Sequence, residues 1–254
     1  MSDILVETLD GVTTLTLNRV ARKNAITADM YALMAGALVD AAADDACRVL
    51  VIQGHETIFS AGNDIADFLN NPPAGPQAPV FKFLQGIAAF PKPVLASVCG
   101  PAVGIGSTLL LHCDLVYAGD NAVFSMPFVN LGLVPEAASS YMLPQLMGYH
   151  RAAEVLLMGE PFMADTALEI GFVNRVLAPT ETNAYTQAQA AKMAKKPLSS
   201  LTESKRLMKA PQQAHVQEAM KNEGQVFSAM LTAPAAKEAF GAFVEKRRPD
   251  FSKL

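Results

Sequence analysis

Apolar and polar positions alternate at the start of the chain. Residues 4–9 (ILVETL) and 12–18 (VTTLTLN) are β-rich runs joined by Asp10-Gly11, a strong hairpin signal. Thr27 then stands ahead of an Ala-, Leu- and Met-rich stretch, which predicts a capped helix reaching about Ala46. Three later runs stay apolar without alternating: "RVLVIQG" at 48–54, "PVLASVCG" at 93–100 and "DLVYAG" at 114–119. Such runs predict buried strands, and the helical segments between them predict an α/β fold with parallel pairing. From about Pro197 the strand signals stop. Helical periodicity runs through "LTESKRLMKA", "QQAHVQEAMKNEGQVFSAMLT" and "AAKEAFGAFVEKRR". The chain therefore divides into an α/β core over 1–196 and a helical region over 197–254, whose apolar residues suit packing on the core or on a neighbour.

Between the first and second of these apolar runs lies "NNPPAGPQAP" at 70–79, whose prolines and glycine break helix and sheet alike. It reads either as a lid over a site or as a plain surface connector. Of the 254 residues 51% are apolar and only 17% charged, which points to surface buried against other subunits. A net charge of −4 speaks against a general nucleic-acid binder. Cys47, Cys99 and Cys113 are scattered, so neither a disulfide framework nor a zinc site is indicated. No signal peptide and no membrane span is expected. The final Ser252-Lys253-Leu254 is a peroxisomal address if the host is eukaryotic; a bacterial host would make the protein cytoplasmic.

Two glycine-bearing turns carry the candidate chemistry. "FSAGNDI" at 59–65 places Gly62 before the N–H of Asn63, with Asp64 as a cap for "IADFLN". "CGPAVGIGSTLLLHCD" at 99–114 is strand, turn and helix, and presents free N–H groups at a helix start. Its Gly104-Ile105-Gly106 fails the dinucleotide fingerprint, because Leu109 stands where the third glycine belongs. No GxSxG is present, and His55, His112, His150 and His215 lack metal-ligand spacing. His112 reads as a core or interface residue. One carboxylate stands out: Glu136, in "LVPEAASSY" at 133–141, after Pro135 at an expected helix start. Two sets of N–H donors plus one carboxylate suit oxyanion stabilisation with a single proton shuttle. Read without the other motifs, each turn is also an ordinary helix start, and Glu136 could simply favour a helix dipole.

Together "LTLNRVARKNAI", "FSAGNDI", "PVLASVCGPAVGIG", "CDLVYAGDNAVFSMPFVNLGLVPE", "GFVNRV" and "FVEKRR" resemble the crotonase, or enoyl-CoA hydratase/isomerase, superfamily along nearly the whole chain. The resemblance implies a spiral of ββα turns with a helical C-terminal part, assembled as homotrimers or hexamers. It implies an acyl-CoA thioester as substrate and no separate cofactor, coenzyme A being part of the substrate. The N–H groups of Asn63 and Ile105 fall on the family's oxyanion donors. Ala25, Ala61, Gly62, Asp64, Ile65 and Gly104 fall on its substrate-binding segments. Arg22, Lys23 and Lys246 fall where the family contacts the nucleotide end of coenzyme A. Family hydratases carry two glutamates, at positions occupied here by Thr108 and Phe128. "PFVNLGLVPEAASSYMLPQLMG" is similar instead to peroxisomal-type delta-3,delta-2-enoyl-CoA isomerases, whose single glutamate base falls on Glu136. The implied reaction, in fatty-acid oxidation, moves the double bond of a 3-enoyl thioester to the 2-position. Apolar walls from Phe68, Leu69, Phe81, Leu84, Phe128 and Leu131 are expected to exclude water and raise the carboxyl pKa. Another crotonase reaction, such as hydration, and a non-catalytic acyl-CoA-binding subunit are the alternatives.

Overall fold

The computed structural model describes every residue except Met1, Ala74, Pro76 and Lys253. The chain opens with β1 (Ile4–Leu9) and β2 (Val12–Leu17), antiparallel with Leu9 opposite Val12. Asp10 and Gly11 both take positive φ, as the tight hairpin requires. There follow α1 (Ala28–Ala43), β3 (Val49–Gln53), α2 (Ile65–Asn70), α3 (Pro79–Ala88) and β4 (Val94–Val98). Next come β5 (Pro101–Val103), α4 (Ile105–Thr108), β6 (Leu115–Gly119), β7 (Val123–Ser125), α5 (Ser139–Met147) and α6 (Tyr149–Ala153). The chain closes with β8 (Phe162–Met163), α7 (Ala164–Glu169), β9 (Arg175–Leu177), α8 (Pro179–Ala194), α9 (Leu198–Met230) and α10 (Pro234–Val244).

Six strands form the main sheet in the order β1-β2-β3-β4-β6-β9, and β5, β7 and β8 form a smaller one. Apart from the β1–β2 hairpin, every pairing in the main sheet is parallel. Its central strands are buried on both faces, which is why they read as unbroken apolar runs. In β3, Leu50 and Ile52 join the large core shared with α1 and α3, while Val49 and Val51 face Ala190 and Ala194 of α8. This layering puts the C-terminal ends of β3 and β4 at one rim, and the two glycine turns leave from that rim.

Several boundaries differ from expectation. Thr27 caps α1 by accepting from Met30 N–H, but the helix stops at Ala43 rather than near Ala46. Asp44 ends it, because its side chain accepts from Ala46 N–H and holds the chain in a turn. The run 93–100 is not one strand, since Gly100 at φ 64 turns the chain from β4 into β5. The connector expected over 70–79 is shorter at both ends: Asn70 closes α2, and Pro79 opens α3, where its missing N–H costs nothing. Ala74 and Pro76 of that connector lie outside the described residues, as does Lys253 of the C-terminal tripeptide. Beyond Pro197 the first two helical runs are one helix of 33 residues that continues through the exposed Pro211. Of α9 only Lys205, Glu223 and Phe227 are buried; Leu207 and Met208 face outward. Among the described residues no helix is long and apolar enough to cross a membrane.

Candidate active site

The two glycine turns lie against each other. Val103 N–H donates to the Ser60 carbonyl, and Ser60 bridges Ala102. Gly62 has φ 87, and a Cβ there would sit 2.9 Å from the Val103 carbonyl oxygen. A Cβ on Gly106 would meet Ser60 at 3.1 Å. The Gly62 contact requires a residue without a side chain, and a side chain at Gly106 would press on Ser60, so these two glycines set the spacing of the turns. On the outer side the loop 19–26 is stitched to the first turn. Ala61 N–H donates to the Lys23 carbonyl, Ile26 N–H to the Gly62 carbonyl, and Asp64 N–H to the Ile26 carbonyl. The buried Asn24 side chain donates to the carbonyls of Ile58 and Phe59. Every neighbour of Asn63 is thereby fixed, yet its own N–H has no acceptor among the described residues, and neither has that of Ile105 at the start of α4. These are the two N–H groups that the resemblance assigned to an oxyanion.

Glu136 is not in the first turn of a helix, as had been expected. Ala137 and Ala138 both take positive φ, and α5 begins only at Ser139. Two successive alanines in the left-handed region are strained, and the surroundings must hold them. His112, buried and neutral, donates from Nε2 to the Ala137 carbonyl at 2.8 Å. Burial holds its pKa down at about 4, with Lys209 and Lys205 adding to the effect, so the donor is the neutral imidazole. Glu223 of α9 accepts from the N–H of Ala138 at 2.6 Å and of Ser140 at 2.9 Å. With its backbone so placed, Glu136 is only 8% exposed, and its Oε1 has no hydrogen-bond partner among the described residues. Burial pushes its carboxyl up to about 8, and the charge of Glu223 adds to this. A carboxylate whose ionised form is poorly solvated is a strong base.

Glu136 and Asn63 line the same cavity, of about 1200 Å³, which runs between α3 and α9. Phe68, Phe81 and Leu84 also line it, as expected. The other proposed wall residues do not: Leu69 is exposed, Phe128 is buried in the core, and Leu131 packs against that core from outside the cavity. Ile65 also packs against the core without lining the cavity. Ile105 is 1% exposed, so its side chain is core while its N–H starts the helix. Gly104, with φ 55 and ψ −119, turns the chain into that helix. Asp64 is committed elsewhere: it caps α2 and pairs with Arg19 at 2.7 Å. Ala25, whose carbonyl also binds Arg19, and Ala61 stand beside the Asn63 turn rather than on the cavity wall. Arg22, Lys23 and Lys246 are exposed and make no ion pair among the described residues; none of them lines the cavity.

Three residues near the base escaped sequence reasoning. Tyr31, buried on α1, donates to the side-chain oxygen of Asn63 at 2.6 Å and feels the charge of Glu136. Glu223 and Ser140 meet at the start of α5. Ser140 stood inside the "LVPEAASSY" motif without a role of its own, and Tyr31 and Glu223 were legible only as members of long helices. Among the described residues no group of His, Cys, Asp and Glu could hold a metal ion.

Residues 7–253 match the family model described as enoyl-CoA hydratase/isomerase. The chain is 33% identical over 252 residues to the 2,3-dehydroadipyl-CoA hydratase of Escherichia coli (strain K12), covering 99% of each. It is 36% identical over 252 residues to enoyl-CoA delta isomerase 2 of Rattus norvegicus. That alignment takes in 96% of this chain but 64% of the rat protein, so the chain spans under two thirds of that relative. The solved structure of OdaA from Pseudomonas aeruginosa superposes with a TM-score of 0.93 at 46% identity, over 96% of this chain and 99% of the other. The relatives thus include both hydratases and isomerases, on the crotonase fold that the motifs had implied. The chain belongs to the enoyl-CoA hydratase/isomerase family, as an acyl-CoA enzyme with Glu136 and Asn63 on one cavity wall.

Proposed function

We propose that this protein is a delta-3,delta-2-enoyl-CoA isomerase with Glu136 as its only acid/base. The observation that carries the reading is the state of Glu136: a buried carboxyl on the cavity wall, with one oxygen unpartnered among the described residues and its pKa pushed up to about 8. The positions that hold the glutamates of family hydratases carry Thr108 and Phe128, both buried, and neither can activate water as a base. A base of this kind suits abstraction of a carbon-bound proton between a thioester carbonyl and a double bond. Glu136 takes the proton from C2, and the electron pair spreads over a dienolate. The N–H groups of Asn63 and Ile105 receive the oxyanion. The glutamic acid returns the proton to C4, so the C3–C4 double bond becomes C2–C3, and nothing is consumed. The delta-isomerase relative supports this choice within the family.

Arg22, Lys23 and Lys246 would meet the phosphates of coenzyme A, outside the cavity where the acyl part reacts. The acyl-CoA would need no further cofactor. Exposed apolar residues such as Leu157, Met158 and Leu168 suit burial in a trimer or hexamer. A role in fatty-acid oxidation follows from the reaction, with a peroxisomal setting if the host is eukaryotic. Pure protein mixed with 3-enoyl-CoA should produce the absorbance of the conjugated 2-enoyl thioester. Hydration of 2-enoyl-CoA at a comparable rate would replace this reading with the hydratase one, which the Escherichia coli relative favours.

A further inference from the structure

Glu223 lies 85 residues from Ala138 in sequence, yet its carboxylate is built into the loop that carries the base. Its Oε2 accepts from Ala138 N–H, and its Oε1 accepts from Ser140 N–H and from the Ser140 hydroxyl at 2.5 Å. Burial pushes the Glu223 carboxyl up, and the three donors that face it among the described residues work against this by favouring its ionised form. The segment it holds contains the two alanines at positive φ, 61° at Ala137 and 58° at Ala138. Without an anchor such a backbone relaxes, and the preceding side chain, Glu136, loses its aim. His112 holds the Ala137 carbonyl, and the Ser139 hydroxyl and N–H both donate to the Glu136 carbonyl.

We propose that Glu223 is a positioning residue for Glu136: the C-terminal helix α9 aims the base through the Ala138 and Ser140 amides and sets a second negative charge beside it. The role of the base itself rests on the isomerase reading above; the coupling between the two glutamates does not need turnover to be seen. The titratable groups facing Glu136 are Tyr31 from α1 and Glu223 from α9. His112, whose own neighbours are Lys205 and Lys209 of α9, stands one residue further along. Of these, Glu223 alone adds a negative charge, so its removal has a predictable sign. The ionised form of Glu136 becomes easier to reach, and its titration moves to lower pH. A simple packing role for Glu223 would leave that titration where it is.

The test follows the carboxyl band of Glu136 by infrared titration, assigned by its loss in Glu136→Gln, in the wild type and in Glu223→Gln. The proposal expects the midpoint in Glu223→Gln to fall by about one unit. It also expects faster amide exchange at Ala138 and Ser140, because an amide side chain offers one acceptor oxygen where the carboxylate offers two. With 3-enoyl-CoA, kcat should fall more than KM changes. An unmoved midpoint in a folded Glu223→Gln protein would overturn the proposal. Should the variant not fold, wild-type exchange decides: protected Ala138 and Ser140 amides support the anchor, and exchange at the rate of a free loop refutes it. A wild type that does not turn over 3-enoyl-CoA would sink the isomerase reading, while the titration still judges Glu223 separately.

Discussion

The hydroxyl of Tyr31 donates to the side-chain oxygen of Asn63 at 2.6 Å. It couples the first turn of α1 to the residue whose backbone N–H is a proposed oxyanion donor. Burial raises the Tyr31 pKa well above its ordinary 10.0, and the charge of Glu136 adds to this, so the phenol stays protonated wherever the enzyme works. The hydroxyl therefore acts as a fixed donor and not as an acid. Tyr31→Phe should leave the fold intact and weaken catalysis by the worth of one buried hydrogen bond, about 1 kcal/mol, or roughly fivefold in kcat. Steady-state rates of the two proteins check this. An unchanged kcat would show that the Asn63 side chain needs no such support.

Glu136 must be ionised to accept a proton. With its pKa raised to about 8, kcat/KM should rise with pH through about 8 and then level off. An exposed glutamate would place that limb near 4.5. A pH–rate profile on 3-enoyl-CoA distinguishes the two outcomes.

The same shift links Glu136 to stability. The folded chain keeps the carboxyl protonated up to about 8, whereas the unfolded chain releases the proton near 4.5. Below 4.5 this contribution is fully present, and it is lost as pH rises towards 8. Glu136→Gln removes the dependence while keeping the shape. The variant should match the wild type near pH 4.5 and exceed it at pH 7 by up to about 3 kcal/mol. Urea unfolding of both proteins at the two pH values measures this, and the contribution of His112 cancels in the difference.

Much of the scaffold was readable because it rests on local chemistry. Asp10-Gly11 makes the hairpin, Thr27 and Asp64 cap their helices, and strands buried on both faces show as apolar runs. The strands β5, β7, β8 and β9 were not readable, since two or three residues are too few to show a period. The start of α5 was misplaced because its left-handed residues are Ala137 and Ala138, with no glycine to mark them. At the site, Glu136 and the two turns were visible as motifs. Tyr31 and Glu223 were not, because each reaches its partner across 32 and 85 residues of chain and acts only through the fold.

Ile105 separates side chain from backbone. Its side chain is buried in the core, so Ile105→Ala should destabilise the protein by about 2–4 kcal/mol while its N–H remains. Below its melting temperature that variant should keep most of its activity. Ile105→Pro deletes the N–H, and loss of such a donor raises a barrier by about 2.7–4 kcal/mol. Circular dichroism confirms folding, and rates follow. A folded proline variant with wild-type turnover would show that the oxyanion donor lies elsewhere.

The most direct test of the account is the reaction itself, run with wild type and Glu136→Gln side by side. Pure wild-type protein given 3-enoyl-CoA should build up the conjugated 2-enoyl thioester, followed by its absorbance. Given 2-enoyl-CoA it should add water at a negligible rate. Glu136→Gln should bind the thioester and lose roughly 10²–10⁴-fold in turnover. Near wild-type isomerisation by the variant, or hydration as fast as isomerisation in the wild type, would contradict a single-glutamate isomerase.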